Sequence, residues 1–414
     1  MPTVTIFAGI SGIDKSEFVK NFIKKSGKQA HILNLDFEKE LLNEEREGNS
    51  SPDIASFLDS PSSKLKLNEI ESTFGWLAKK IDERDSKITD IFLNIHLSYF
   101  KNSEFFPPFI PLFFRQLTTK IPDANMKIIT LIDDVFSIWD KIKKREDEKG
   151  FLNTVLRLRE ILAWRSLESL NAEALKEYLN TREEGKQRAS NYIVSVRHPF
   201  NTFYNLIFNE KPVRLYLSYP ISETRKDPKD ILEINEFRKQ MHKIGSDEGI
   251  VVFDPVAIDE LAMENAVEEI PVSQRSTVEE ITLEQKHRWP LEVSDILVKD
   301  FEWPITIPKR QIDEVSSDIR NQITSRDYTL VDSSQFLAVY RPFYRQIMSR
   351  GADAEIKHAK EYGKKVIVYH PKEDKGPQSS STHPFGSKVD LFEVKEKFFE
   401  HLQKLITQKK GKDK

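Results

Sequence analysis

Short β-branched and apolar runs recur along the chain, and polar stretches with helical apolar spacing separate them. The first is Thr3–Ala8, followed by a glycine-containing turn and a helical stretch over 15–25. Runs of the same kind fall at 31–35, 88–95, 127–132 and 192–196. Leu152, Leu156, Leu158, Ile161 and Leu162 predict a helix within 151–179. A second block repeats the alternation. Strands are expected at Arg214–Ser218, 250–253, Phe336–Tyr340 and Lys365–Tyr369, with helices at 231–242, 311–324, 352–361 and 390–405. Strands that alternate with helices predict βαβ units and mostly parallel sheets. The expected fold class is therefore α/β, with two doubly wound domains at 1–209 and 210–408 and a charged tail at 409–414. Three segments read as irregular: 49–63, 264–284 and 371–387. The last either lies over the second block's site as a lid or is a plain solvent loop.

Composition narrows the chemistry. The 414 residues hold no cysteine, which excludes disulfides, Cys-ligated metals and a Cys nucleophile. The 63 basic and 66 acidic residues leave a net charge of −3, so no whole-chain argument for nucleic-acid binding arises. No apolar run approaches about 18 residues, so no membrane span is expected. The N-terminus has no leader pattern, and the simplest compartment is the cytoplasm.

After the first strand comes Gly9-Ile10-Ser11-Gly12-Ile13-Asp14-Lys15-Ser16. The pattern G-x-x-x-x-G-K-[ST] between strand and helix turns backbone N–H groups toward phosphate. Gly9, Lys15 and Ser16 fall in place, and Gly12 matches the variant form G-x-x-G-x-G-K-[ST], with Lys15 set to neutralise phosphate and Ser16 to offer a hydroxyl to Mg²⁺. Asp14 stands where glycine is expected and adds a negative charge beside the anion. That charge weakens triphosphate binding or makes it depend on a metal. The other reading is a strand-to-helix turn that no longer binds. Asp133 and Asp134 end a later strand, where P-loop proteins place a metal-associated acid, and Asp133 is the candidate second Mg²⁺ residue. Each also reads as a helix N-cap. His96, Arg165 and Arg197-His198-Pro199 lie at comparable positions, and the aromatic run 99–114 either lines a cleft or packs inside the block. The block resembles P-loop nucleotide kinases, adenylate-kinase-like in its opening motif.

The second block carries an ordered set: Tyr216 and Ser218 in its first strand, Arg326-Asp327 before its third, and Gly351-x-x-x-Glu355-x-x-x-Ala359. With this set the block resembles nucleoside 2-deoxyribosyltransferases and the related deoxynucleoside-monophosphate N-glycosidases, whose fold is flavodoxin-like. The match runs over about 213–371, with an insertion at about 256–308. The resemblance implies that Glu355 is the nucleophile, placed by the sequence in the first turn of its helix. Asp327 then holds the base or protonates its leaving nitrogen, and Tyr216 orients Glu355. A carboxylate below the sugar suits the oxocarbenium character that builds at C1′. Ser218, Arg326, Arg341 and Gly351 are the accompanying substrate-binding candidates. Ser349 and Gln335 stand where the family often has acids, which points to hydrolysis more than base exchange. Arg341, Arg345 and Arg350 read as a phosphate clamp or as a solvated basic edge.

Together these readings imply an enzyme that cleaves the N-glycosidic bond of a nucleotide or a nucleotide-derived substrate (ATP, a dNTP, an NMP or an NAD-like molecule). The resemblance also implies a homo-oligomer and, by analogy with fused relatives, a defence role. The rivals are a nucleotide kinase with a C-terminal binding module and a non-catalytic nucleotide sensor.

Overall fold

The computed structural model describes residues 3–41, 57, 63–101, 104–106, 111–149, 156–181, 189–290, 294–297, 302–374, 385 and 389–412. The chain divides into two compact units. Unit 1 is 1–196 with 260–288 and 296–319, and unit 2 is 197–259 with 289–295 and 320–414.

Unit 1 is built on five parallel strands: β1 (Thr3–Ala8), β2 (Ile32–Asp36), β3 (Asp90–Asn94), β4 (Asn125–Ile132) and β5 (Ala189–Ser195). Their order is β2-β3-β1-β4-β5. Strands β1, β3 and β4 are nearly continuous apolar runs because a parallel sheet is covered on both faces. Val4, Ile6, Ile91, Leu93 and Ile128 pack on one side against Phe74, Leu77, Phe114 and Leu175. Helix α1 (Lys15–Ser26) buries Phe18, Val19, Phe22 and Ile23 along one stripe. It ends at Gly27, whose φ of 69° suits a glycine cap. Helices α2 (Val135–Lys149) and α3 (Leu158–Asn180) follow β4. The region 264–284, expected to be irregular, is corrected here. It contains part of a helix, Leu261–Glu268, and a strand, Glu280–Leu283, paired antiparallel with Ile305–Pro308. Ile281 and Leu283 are buried while Glu280 and Thr282 are exposed, a period-2 signal in a short acidic stretch.

Unit 2 also has five parallel strands: β6 (Arg214–Ser218), β7 (Val251–Phe253), β8 (Phe336–Tyr340), β9 (Lys365–Tyr369) and β10 (Val389–Phe392). The order β10-β9-β8-β6-β7 is the flavodoxin-like arrangement, with its switch point between β6 and β8. Leu215, Leu217 and Tyr219 join Phe237, Met241, Phe398 and Leu402 in the core, so Tyr216 and Ser218 point to the opposite face. Helix α4 (Pro228–Glu248) opens with Asp227 accepting from the Lys229 N–H and Pro228 at its first position. Helix α5 (Lys309–Asp332), of which residues 320–332 belong to unit 2, runs past the expected end at Thr324, so Asp327 lies on a helix rather than in a connection. Helix α6 spans Arg350–Glu361 and α7 spans Lys395–Lys412. Residues 390–392, expected to open the closing helix, instead belong to the edge strand β10 that pairs with β9. The segment 49–63 lies largely outside the described residues. Of 371–387, only 371–374, with its short turn Lys372–Asp374, and Phe385 are described.

Candidate functional sites

In unit 1, the loop from β1 to α1 has the backbone of a phosphate cradle. Gly9 has φ of 149°, and a Cβ there would lie 2.8 Å from the Leu131 carbonyl oxygen. Gly12 has φ of 89°, with Ile138 3.0 Å from where a Cβ would stand. Asp14 itself takes φ 57° and ψ 39°, the left-handed conformation that the missing glycine supplies elsewhere. Its carboxylate lies 3.4 Å from Lys141 Nζ on α2, which also lies 3.8 Å from Asp133. Lys15 is buried and donates to the Gly9 carbonyl at 3.2 Å. Burial pushes its ammonium below the ordinary lysine value, while Glu38, Glu168 and Asp36 oppose the shift.

A cavity of about 280 Å³ opens on this loop. Its wall includes Asp36 and Glu38, at and just beyond the end of β2, and Asn94 and His96, at and just beyond the end of β3. Ser16 Oγ donates to Asp36 Oδ2 at 2.5 Å, and His96 Nε2 lies 3.1 Å from Glu38. Burial alone would raise the Glu38 carboxyl, but neighbouring His96 and Lys15 hold it down at about 2. Asp133, expected beside Mg²⁺, is fully buried and sits off this wall. It accepts from the Asp134 N–H and from Ser137. Ser16 and Asp36 are hard oxygen donors in contact at this cavity, the donor type that Mg²⁺ takes. Asp134 binds Arg288, and Arg165 binds Glu260, so these charges are committed to a buried network. Buried Glu168 accepts from the Gly9 and Leu97 N–H groups at 2.9 and 2.8 Å and from Ser98 at 2.6 Å, tying the ends of β1 and β3 together. Sequence reasoning missed Asp36, Glu38, Lys141 and Glu168. An acidic D-x-E at the end of the second strand was the available signal for the first pair.

In unit 2, Tyr216 Oη donates to Glu355 Oε1 at 2.7 Å and Ser218 Oγ donates to Oε2 at 2.5 Å. The two donors sit two residues apart on β6, so the strand period sends both to the face that α6 covers. Glu355 is the sixth residue of α6, not part of its first turn as expected. Asp353 is the first-turn acid, and the donors to Glu355 come from β6 rather than from the helix N-terminus. Burial, reinforced by the charge of Asp327, pushes the Glu355 carboxyl up to about 8, against the pull of its two hydroxyl partners. It is thus mainly protonated at neutral pH. Burial also raises the Tyr216 phenol well above its usual value, followed by the charges of Asp327 and Glu355, so it remains a donor. Asp327 is buried, and the Arg326 Nε and Nη2 each lie 3.1 Å from its Oδ1. Tyr216, Ser218, Glu355, Asp327 and Arg326 therefore act on one another.

Gly351 is exposed, and a Cβ there would meet nothing. Arg341 stands apart from Glu355 in its contacts. It donates twice to Asp374, at 2.8 and 2.6 Å, and once to Glu233 at 2.5 Å. It lines a separate cavity of about 270 Å³ with Pro220, Asp230 and Tyr344. Its guanidinium is already committed to two carboxylates, which argues against the expected phosphate clamp.

No family model matches the chain, and no curated protein matches it. Among solved structures it is similar to a sugar kinase from Janibacter, at 14% identity over 48% of this chain and 88% of the other, with a TM-score of 0.27. It is also similar to a structure of the PezAT toxin–antitoxin system of Streptococcus pneumoniae, at 12% identity over 58% and 87%, TM-score 0.28. A third is UDP-GlcNAc 2-epimerase from Methanocaldococcus jannaschii, at 8% over 97% and 92%, TM-score 0.22. Likenesses this distant carry no argument about chemistry. Among the described residues, no helix is long and apolar enough to cross a membrane.

Proposed function

We propose that unit 2 hydrolyses the N-glycosidic bond of a nucleotide or nucleotide-derived substrate and that unit 1 binds a nucleotide at its P-loop. The observation that carries the reading is the Glu355 carboxyl held by the Tyr216 and Ser218 hydroxyls, on the strand that borders the flavodoxin-like switch point. In an open α/β sheet that crevice is where ligands lie. The residues suit the chemistry in balance. The C1′–N bond breaks with its electron pair leaving on the base nitrogen, which takes up a proton. Asp327, ionised beside Arg326, is the group assigned to hold the base, and the proton is drawn from water. A Glu355 oxygen takes the anomeric carbon, and water then replaces it, releasing the carboxylate and a proton. Glu355 must lose its resting proton first, so the arrangement favours turnover above neutral pH. Tyr216 and Ser218 fix which carboxyl oxygens face the sugar.

A second reading, phosphoryl transfer in unit 1, is favoured by one observation. Asp36 and Glu38 share the cavity wall with Lys15 and Ser16, where an acceptor hydroxyl and a phosphate can meet. When bound, Mg²⁺ would neutralise phosphate charge there, with Ser16 and Asp36 as its protein donors.

The experiment incubates the full chain with ribo- and deoxynucleotides and NAD and resolves the products by chromatography. Free base supports the first reading and new diphosphate the second. Unchanged substrates across the panel refute both.

A further inference from the structure

We propose that the unit 1 cradle admits a nucleotide only as its divalent-cation complex, and that Asp14 imposes this condition. The inference rests on the P-loop reading above. Asp14 keeps the left-handed backbone of the missing glycine, so the fold of the loop is preserved while a negative charge is added to it. Among the described residues, the cavity wall carries four carboxylates, Asp14, Glu17, Asp36 and Glu38, against one lysine, Lys15. Lys141, on α2, divides its attraction between Asp14 and Asp133. The Gly9 N–H, which such loops can turn toward phosphate, is spent on Glu168. A metal-free polyphosphate therefore meets a surplus of negative charge in a confined space, where like charges repel strongly.

A second observation marks the cavity as built for a polar ligand. Asn94 and His96 are 2% and 7% exposed and line it, yet Asn94 Oδ1 and His96 Nδ1 have no hydrogen-bond partner among the described residues. Buried polar atoms left in this state are costly unless a ligand or water completes them. Among the described residues, no group of three or more His, Cys, Asp or Glu is placed to hold a metal. A cation at Ser16 and Asp36 thus needs phosphate oxygens to complete its shell, and cation and nucleotide bind together or weakly.

The test is equilibrium binding of a fluorescent ATP analogue to the full chain, in EDTA and in Mg²⁺. The wild type is compared with Asp14→Gly, Asp14→Asn and Lys15→Ala. Glycine and asparagine both accept φ near 57°, so neither Asp14 variant disturbs the loop. The wild type should bind about 100-fold more tightly with Mg²⁺, and both Asp14 variants should reduce that ratio to about tenfold or less. Wild-type binding in EDTA within about tenfold of that in Mg²⁺ overturns the proposal, as does an unchanged ratio in both variants. No binding in either condition, or binding indifferent to Lys15→Ala, instead overturns the P-loop reading itself, and the proposal with it.

Discussion

Replacing Glu355 by glutamine tests the burial of its carboxyl independently of any substrate. In the folded chain this group titrates at about 8 against an ordinary value of 4.5. Between those values the folded state binds more protons than the unfolded one, so stability falls as pH rises through the window. A shift of that size corresponds to at most about 5 kcal/mol between the protonated and ionised forms. Relaxation of the site on ionisation and the coupling to Asp327 lower the figure. Glutamine keeps the shape and carries no titrating proton, so the variant lacks this slope. The assay is urea unfolding of both proteins at intervals from about pH 5 to about pH 9. Groups that do not interact with Glu355 cancel when the two curves are subtracted, and what remains belongs to Glu355 with its neighbour Asp327. The difference should favour the wild type least at the alkaline end, by up to about 5 kcal/mol relative to the acid end. Parallel curves across the range would show Glu355 ionised in solvent, and the site as described would be wrong.

Three further outcomes follow from the same geometry. In the wild type, kcat/KM for base release should rise with pH up to about 8, because the attacking oxygen needs the ionised carboxyl; a flat profile from about pH 6 upward contradicts this. Tyr216→Phe removes a 2.7 Å hydrogen bond that favours the ionised form of Glu355, so base release at neutral pH should fall about tenfold and its alkaline rise should move higher still. Gly9→Ala places a Cβ 2.8 Å from the Leu131 carbonyl at φ 149°, which should cost about 2 kcal/mol in urea unfolding and weaken nucleotide binding. A Gly9→Ala chain with wild-type stability and binding would remove the cradle argument.

Much of the scaffold is legible in the chain because parallel strands buried on both faces read as apolar runs. Thr3–Ala8, 127–132 and 365–369 are of this kind, and each falls within a strand. The edge strand Val389–Phe392 is half-buried throughout and adjoins a helix, so its pattern merges with the helical one. The place of 260–288 and 296–319 in unit 1 is set by contacts such as Arg165–Glu260 and Arg288–Asp134, across sequence separations that no local pattern encodes. At the sites, the resemblance points to Tyr216 and Glu355 together, and the structure places the Tyr216 and Ser218 hydroxyls on the Glu355 carboxyl. The place of Glu355 beyond the first turn of α6 is not legible, because it depends on where the helix begins, a boundary that slipped by two residues. Arg341 reads as a free cation in sequence because its partners Glu233 and Asp374 lie far along the chain. Asp36 and Glu38 escape notice because a strand-end acid has many ordinary explanations.

The measurement that bears most directly on the central claim is the rate of base release by Glu355→Gln under conditions where the wild type turns over its best nucleotide. The variant keeps the side chain's shape and the reach of both hydroxyl partners but has no nucleophilic oxygen. The account predicts a fall of about a thousandfold or more, with Lys15-dependent nucleotide binding in unit 1 unchanged. Base release at the wild-type rate would contradict it.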